Sequence, residues 1–312
     1  FSHTGKSGIE RYYDAVLRGE IGYEQIETNV AGRIIGSLGR IPAKPGVDLR
    51  LSIDAELQRA ANIAFGELTG SAVAFDPRSG EVLAMVSLPT YDPNLFVNGI
   101  SHTDYRRFMD DPARPLYNRN VLGGVAPGST LKPLITLAGL DSGLRTPDDK
   151  VLSTGELRLA GQRRGYRDSH GGGHGWTDAR KAIGDSVNTY YYRLSLDMGI
   201  RKFDDYLTRY GFGAPTGIDL AGETGGILPS PEWKAKNARK QGPWYPGDTV
   251  ISSIGQGFWK ATPLQLAQST AALANDGMLR RPHLVRARRD DFDRPWTMVE
   301  QPAPRAISRS AA

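Results

Sequence analysis

Apolar positions along this chain recur with two different periods. From Ser71 to Val86 the pattern is Ser71-Ala72-Val73-Ala74-Phe75, the turn Asp76-Pro77-Arg78-Ser79-Gly80, then Glu81-Val82-Leu83-Ala84-Met85-Val86. Two β-rich runs around a Pro/Gly turn predict a hairpin. Upstream, Asp54 stands as an N-cap ahead of Leu57, Ala60, Ala61, Ala64 and Leu68, whose spacing predicts a helix with one apolar face. Earlier still, Tyr23-Glu24-Gln25-Ile26-Glu27-Thr28-Asn29-Val30 alternates as a strand does. Residues 1 to about 50 therefore read as a small β-containing module, followed by the linker Ile41-Pro42-Ala43-Lys44-Pro45-Gly46.

After the hairpin the pattern turns helical and loop-rich. Leu131, Leu134, Ile135, Leu137 and Ala138 follow the break Ala126-Pro127-Gly128 and predict a buried helix. Thr177-Asp178 opens another helix before the aromatic run Tyr190-Tyr191-Tyr192. No further strong strand is expected before the end of the chain. Two strands alone do not make a stable sheet, so the hairpin's partners are expected beyond Ala312.

The Pro-Gly break is also where chemistry begins. Ser129-Thr130-Leu131-Lys132 is the one Ser-x-x-Lys in the chain, and residues three apart share a helix face. The Ser129 hydroxyl and Lys132 amine are thus expected to meet as a nucleophile beside its base. Such a tetrad arises by chance about once in a few hundred residues, so alone it means little. Its companion is Ser186-Val187-Asn188, the one Ser-x-Asn, which taken alone reads equally well as a helix cap. Lys6-Ser7-Gly8, the one Lys-[Ser/Thr]-Gly, precedes Ile9-Glu10-Arg11-Tyr12-Tyr13 and reads as a loop leading into a helix. Gly255 and Gly257 read as turn formers, and Trp176, Trp233, Trp244 and Trp259 as packing residues.

Composition narrows the partners. With 312 residues, 39% hydrophobic and 23% charged, the chain accommodates one large domain and a smaller one. No apolar stretch reaches the roughly 18 residues that span a bilayer, and no signal-peptide pattern opens the chain. The absence of cysteine excludes disulfides and thiolate chemistry. A net charge of +5 suits an anionic polymer or membrane surface. Lys and Arg are nevertheless scattered, with only Arg286, Arg288 and Arg289 approaching a cluster, so nucleic-acid binding is not expected.

Taken in order, several stretches carry a resemblance. They are Gly5-Lys6-Ser7-Gly8-Ile9-Glu10, the hairpin with Asp76-Pro77, Pro127-Gly128-Ser129-Thr130-Leu131-Lys132-Pro133, Ser186-Val187-Asn188, Thr216-Gly217-Ile218-Asp219-Leu220, and Ile254-Gly255-Gln256-Gly257 with Thr262-Pro263-Leu264-Gln265. Together they resemble a class B penicillin-binding protein, nearest the elongation-specific peptidoglycan D,D-transpeptidases of Gram-negative rods. The resemblance implies an α/β (α+β) fold of the β-lactamase/transpeptidase type. Residues 1–50 would be part of a non-catalytic pedestal and 51–312 a transpeptidase domain incomplete at its C-terminus. It places the family's Lys-[Ser/Thr]-Gly strand beyond Ala312. The chain opens on Phe1-Ser2-His3 rather than Met, and the resemblance implies an upstream inner-membrane anchor with the catalytic domain in the periplasm.

The same resemblance assigns roles. Ser129 would attack a D-Ala-D-Ala stem peptide or a β-lactam, and Lys132 would act as base once burial had lowered its pKa. Ser186 would relay a proton, Asn188 would bind Lys132 and the donor peptide, and the Ser129 N–H would be one oxyanion-hole donor. Expected partners are peptidoglycan stem peptides, β-lactam antibiotics, a membrane glycan polymerase and other elongation-complex proteins. The alternatives are a D,D-carboxypeptidase or β-lactamase-like hydrolase, and an inactive scaffold or penicillin-sensing module. No cofactor is expected. Some relatives carry a zinc near the nucleophile helix, on an Asp and a His matching Asp168 and His174 plus a second Asp and a Cys. Here the latter two positions read Ser153 and Val187, and His170 replaces only one, so metal is not expected.

Overall fold

The computed structural model describes residues 4–308; the opening Phe1-Ser2-His3 lies outside them. The first segment contains the antiparallel ladder of β1 (Tyr23–Thr28) and β2 (Ile34–Ile41), as the alternation predicts, although β1 buries neither face. β3 (Asp48–Leu51) then leads through Ser52 to the Ala55–Phe65 helix. Asp54 caps that helix by accepting the Leu57 N–H at 3.0 Å. The hairpin follows as β4 (Gly70–Phe75) and β5 (Val82–Leu88), with Asp76 accepting the Arg78 N–H in the turn.

Two expectations are corrected here. The helix ends at Phe65, so Leu68 lies outside it, and Leu57 and Leu68 stay 40% and 70% exposed. The helix is instead tied to β5 through Gln58, whose amide donates to the Met85 carbonyl at 3.0 Å and accepts the Met85 N–H at 2.8 Å. A backbone edge is thereby paired by a side chain.

The second correction concerns strands after the hairpin. The middle of the chain holds β6 (Val151–Ser153), β7 (Glu156–Leu157), β8 (Tyr166–Arg167) and β9 (Gly175–Thr177), paired β6–β9 and β7–β8. Later come β10 (Met278–Leu279), β11 (Val285–Arg289), β12 (Thr297–Met298) and β13 (Arg305–Ala306). β11 lies between β12 and β3, antiparallel to both. This sheet is stitched to the hairpin by Val82 N–H to His283 C=O at 3.0 Å and Asp54 N–H to Leu83 C=O at 2.9 Å. The Ser52 hydroxyl, buried between them, lies 2.7 Å from the Val82 carbonyl. β4 and β5 nevertheless remain a two-stranded sheet among the described residues, joined to the β11 sheet only by these few bonds. β11 escapes a sequence reading because it is only five residues long and just two of them, Val285 and Ala287, are buried apolar positions.

Asp219 locks this junction. One of its oxygens accepts the Leu284 N–H at 2.6 Å, and the other accepts the Val285 N–H and the Tyr13 hydroxyl, both at 2.9 Å. Burial, then the Asp219 carboxylate, pushes the Tyr13 phenol up, so it remains a donor across the physiological range. Asp219→Ala would leave two buried backbone donors unpaired. We expect about 2–4 kcal/mol of lost stability, read as a lower urea midpoint with unchanged slope.

The helical lobe supplies the larger core. Leu131, Leu134 and Ile135 of the predicted buried helix pack with Tyr190, Tyr191, Leu194, Phe203, Tyr210, Phe212 and Trp259, all at most 2% exposed. The helix runs Lys132–Asp141 and is preceded by a tight 3-10 turn over Gly128–Leu131. Lys6-Ser7-Gly8 sits where the Gly8–Tyr12 helix begins, in agreement with a loop entering a helix.

Candidate active site

Ser129 stands on the 3-10 turn and Lys132 at the start of the helix it opens, which separates their environments. Ser129 is exposed, whereas Lys132 is 1% exposed. Apolar neighbours force Lys132 inward, and its three donor positions are met by polar atoms. Nζ donates to the Ser186 carbonyl at 2.6 Å, the Ser186 hydroxyl at 3.0 Å and the Asn188 Oδ1 at 2.7 Å. Burial pushes the Lys132 pKa from 10.5 down to about 8, against an opposing pull from Asp168.

The sequence reading puts Lys132 directly on Ser129, and the structure alters that detail. The partner of the Ser129 hydroxyl is the Ser186 hydroxyl, at 2.9 Å. The polar chain is Lys132–Ser186–Ser129, with Ser186 between amine and nucleophile. Ser186 reaches this place through a left-handed backbone, φ 54°, at the end of the Ala179–Gly184 helix. A non-glycine residue there costs of order 1 kcal/mol and is held by its surroundings. Here Val187 is fully buried and Lys132 binds both Ser186 oxygens.

Asn188 opens the Asn188–Met198 helix, and neither it nor Ser186 caps that helix. The cap is Asp168, twenty residues upstream, which local spacing does not reveal. Its carboxylate accepts the Asn188 N–H at 2.9 Å, the Thr189 N–H at 3.0 Å and the Thr189 hydroxyl at 2.8 Å. Burial alone would raise its pKa, but these bonds outweigh it and hold Asp168 below the usual carboxylate range.

These bonds also decide whether a zinc fits. Ser153 lies beside Asp168 and bonds the Thr189 hydroxyl at 2.7 Å, while Val187 offers no ligand atom. His174 Nε2 is buried without a hydrogen bond, 3.7 Å from Asp168 Oδ1. The His170 ring centroid lies 5.5 Å from that of His174. Among the described residues no group of three His, Cys, Asp or Glu side chains converges as a metal cage. The donor set does not fit tetrahedral zinc, and its oxygens are already committed to holding the second helix.

The loop Gly255–Gly257 proves more closely engaged than turn geometry alone suggests. The Gly128 N–H donates to the Gly255 carbonyl at 2.9 Å, so this loop backs the turn that carries Ser129. Gly255 has φ +67°, and a Cβ there would stand 2.4 Å from the Gly128 carbonyl oxygen. Trp259 packs in the core with its indole N–H on the Ser252 carbonyl at 3.0 Å. Trp244 bonds Thr249, and Trp233 lies against Phe258. Trp176 departs from the packing expectation and is 65% exposed.

A serine on a 3-10 turn, a buried lysine and a Ser-x-Asn turn meeting on a mixed helix and strand scaffold are the arrangement seen in penicillin-recognising serine enzymes. The chain belongs to the penicillin-binding protein transpeptidase family: that domain's family model matches residues 70–312, and the penicillin-binding protein dimerisation domain matches residues 2–51. It is 41% identical over 299 residues to the peptidoglycan D,D-transpeptidase MrdA of Escherichia coli K12, covering 96% of this chain and 47% of that protein. The Haemophilus influenzae MrdA is 44% identical over 283 residues, covering 91% of this chain and 43% of that protein. Among solved structures, Pseudomonas aeruginosa PBP2 in complex with WCK 5153 aligns with a TM-score of 0.82 at 44% identity. That alignment covers 96% of this chain and 60% of the other. PBP2 from Helicobacter pylori, in complex with MreC, aligns with a TM-score of 0.83 at 34% identity, covering 95% of this chain and 54% of that one. The chain spans about half the length of the curated relatives it matches.

Proposed function

We propose that this chain carries the acyl-transfer centre of a peptidoglycan D,D-transpeptidase, and that Ser129 is its nucleophile. The observation that carries the reading is the chain from the buried Lys132 amine through the Ser186 hydroxyl to the exposed Ser129 hydroxyl. With Lys132 neutral, its lone pair takes a proton from Ser129 directly or through Ser186. Ser129 Oγ then attacks the carbonyl carbon of the penultimate D-Ala. The C–N bond to the terminal D-Ala breaks, and Ser186 returns the proton to the departing amine. The ester left on Ser129 is attacked by an acceptor amine, which restores the serine. Asn188 holds Lys132 through Oδ1, and its amide nitrogen, one hydrogen of which points to the Arg167 carbonyl at 3.5 Å, has a second hydrogen for the donor peptide, while the Ser129 N–H serves the developing oxyanion.

A hydrolase needs a group to activate water, as a glutamate does in class A lactamases. A D,D-carboxypeptidase or β-lactamase-like hydrolase would use the same Ser129–Lys132 pair with water as the acceptor. The intact polar chain supports an enzyme rather than a silent scaffold or sensor.

Within this reading residues 1–50 are part of a pedestal and 51–312 form the transpeptidase domain. β3 carries the chain from one to the other, since it pairs with β11. The centre would work in the periplasm on a protein anchored in the inner membrane; among the described residues no helix is long and apolar enough to cross one. The relative solved with MreC and the one solved in a peptidoglycan synthase complex support elongation-complex proteins and a glycan polymerase as partners here.

Incubation of the intact protein with a penicillin tests the nucleophile. Ring opening adds the whole antibiotic, so one intact β-lactam mass per chain is expected, mapping to the peptide that holds Ser129. An adduct on another residue would remove Ser129 from the role.

A further inference from the structure

The ribbon β6–β9 has two faces with different contents. Ser153 and Thr177 point inward, 2% and 0% exposed, and Ser153 joins the Asp168 network behind the active site. Leu152 and Trp176, partners in the ladder, point outward at 40% and 65% exposure. They stand over a trough of about 440 Å³ lined also by Leu157, Arg145, Lys150, Arg193 and Asp197. Arg145 is paired with Asp197, while Lys150 and Arg193 have no ion-pair partner among the described residues. The Arg145 Nε is buried with no hydrogen bond.

An exposed tryptophan on a rigid ribbon is an expensive surface group, because its large apolar face remains in water. Unpaired cations converging beside it add a call for carboxylates. The volume suits one or two small rings or residues rather than a protein surface. A flat apolar face next to carboxylate-binding cations matches an uncharged sugar ring attached to an acidic peptide.

We propose that this trough is a secondary site for a peptidoglycan strand, with a sugar ring stacked on Trp176 and a stem-peptide carboxylate held by Lys150 and Arg193. The inference rests on the peptidoglycan reading of the active site. The trough adjoins the active-site scaffold, since Ser153 on β6 bonds the Thr189 hydroxyl and Thr189 follows Asn188. A strand held here would keep substrate near Ser129 without occupying the cleft.

The test uses the intact protein treated with penicillin, its adduct read by mass, so that the cleft is blocked. It is then titrated calorimetrically with a soluble uncross-linked disaccharide-pentapeptide. We expect binding that weakens at least tenfold in Trp176→Ala and in Lys150→Glu/Arg193→Glu, is retained in Trp176→Phe, and leaves the rate of adduct formation unchanged. Undetectable binding, or binding equal in wild type and both variants, overturns the site. Equal affinity for the pentapeptide without sugars overturns the stacking assignment. A protein that takes no penicillin yet binds the fragment through Trp176 would sink the acyl-transfer reading and keep the trough.

Discussion

Lys132→Arg is expected to slow β-lactam acylation of Ser129 at least about a thousandfold, because a guanidinium does not give up its proton near neutral pH. The wild-type lysine is prepared for that step by its surroundings. Burial brings its pKa from 10.5 to about 8. At pH 7 that leaves about one molecule in ten with a neutral amine, against about one in three thousand at the unshifted value. The base is the neutral form, so acylation should rise with pH and level off above about 8. Arginine keeps the positive charge for Ser186 and Asn188 but fits their three acceptors poorly, so circular dichroism and thermal unfolding must accompany the kinetics. A folded variant that acylates at near the wild-type rate would remove Lys132 from the base role. A wild-type rate flat from pH 6 to 9 would show that its deprotonation is not limiting.

Much of this arrangement was legible because it is local. The hairpin, the Asp54 cap and the helix after Pro127-Gly128 each follow from residues within one turn or one ladder. Ser129, Lys132, Ser186 and Asn188 were named from two short motifs, and the fold brings all four together. What was not legible is what crosses the chain. Asp168 caps a helix twenty residues on, and Asp219 ties Tyr13 to the β11 backbone. β11 is only five residues long, three of them arginine, so its alternation is too brief to stand out as a strand. The intervening place of Ser186 depends on its left-handed backbone, which no serine propensity signals. Residue type alone places Trp176 in packing, whereas the ribbon's alternation turns it outward.

The loop behind the nucleophile gives the second large effect. Gly255→Val would introduce two separate penalties. Its φ of +67° lies where a β-branched residue is strongly disfavoured, about 1–3 kcal/mol in its own right. Its Cβ would also lie 2.4 Å from the Gly128 oxygen and 2.5 Å from the Gly128 nitrogen, and both are backbone atoms with no rotamer to change. Relief requires the two turns to separate, which stretches the 2.9 Å bond from Gly128 N–H to the Gly255 carbonyl and shifts the turn holding Ser129. We expect a stability loss of about 4 kcal/mol or more, at the far end of single substitutions. In the fraction that stays folded, acylation should fall about a hundredfold, since misplacing a nucleophile by an ångström costs about that much. Gly257→Ala is the control. Its added Cβ meets a methyl of Ile251 at 3.1 Å, a side chain rather than the nucleophile turn, so it should lose stability with little change in the acylation rate of the folded protein. Equal kinetic losses in both variants would show that Gly255 acts through general stability. A Gly255→Val protein that acylates normally would show that the Ser129 turn does not depend on this contact.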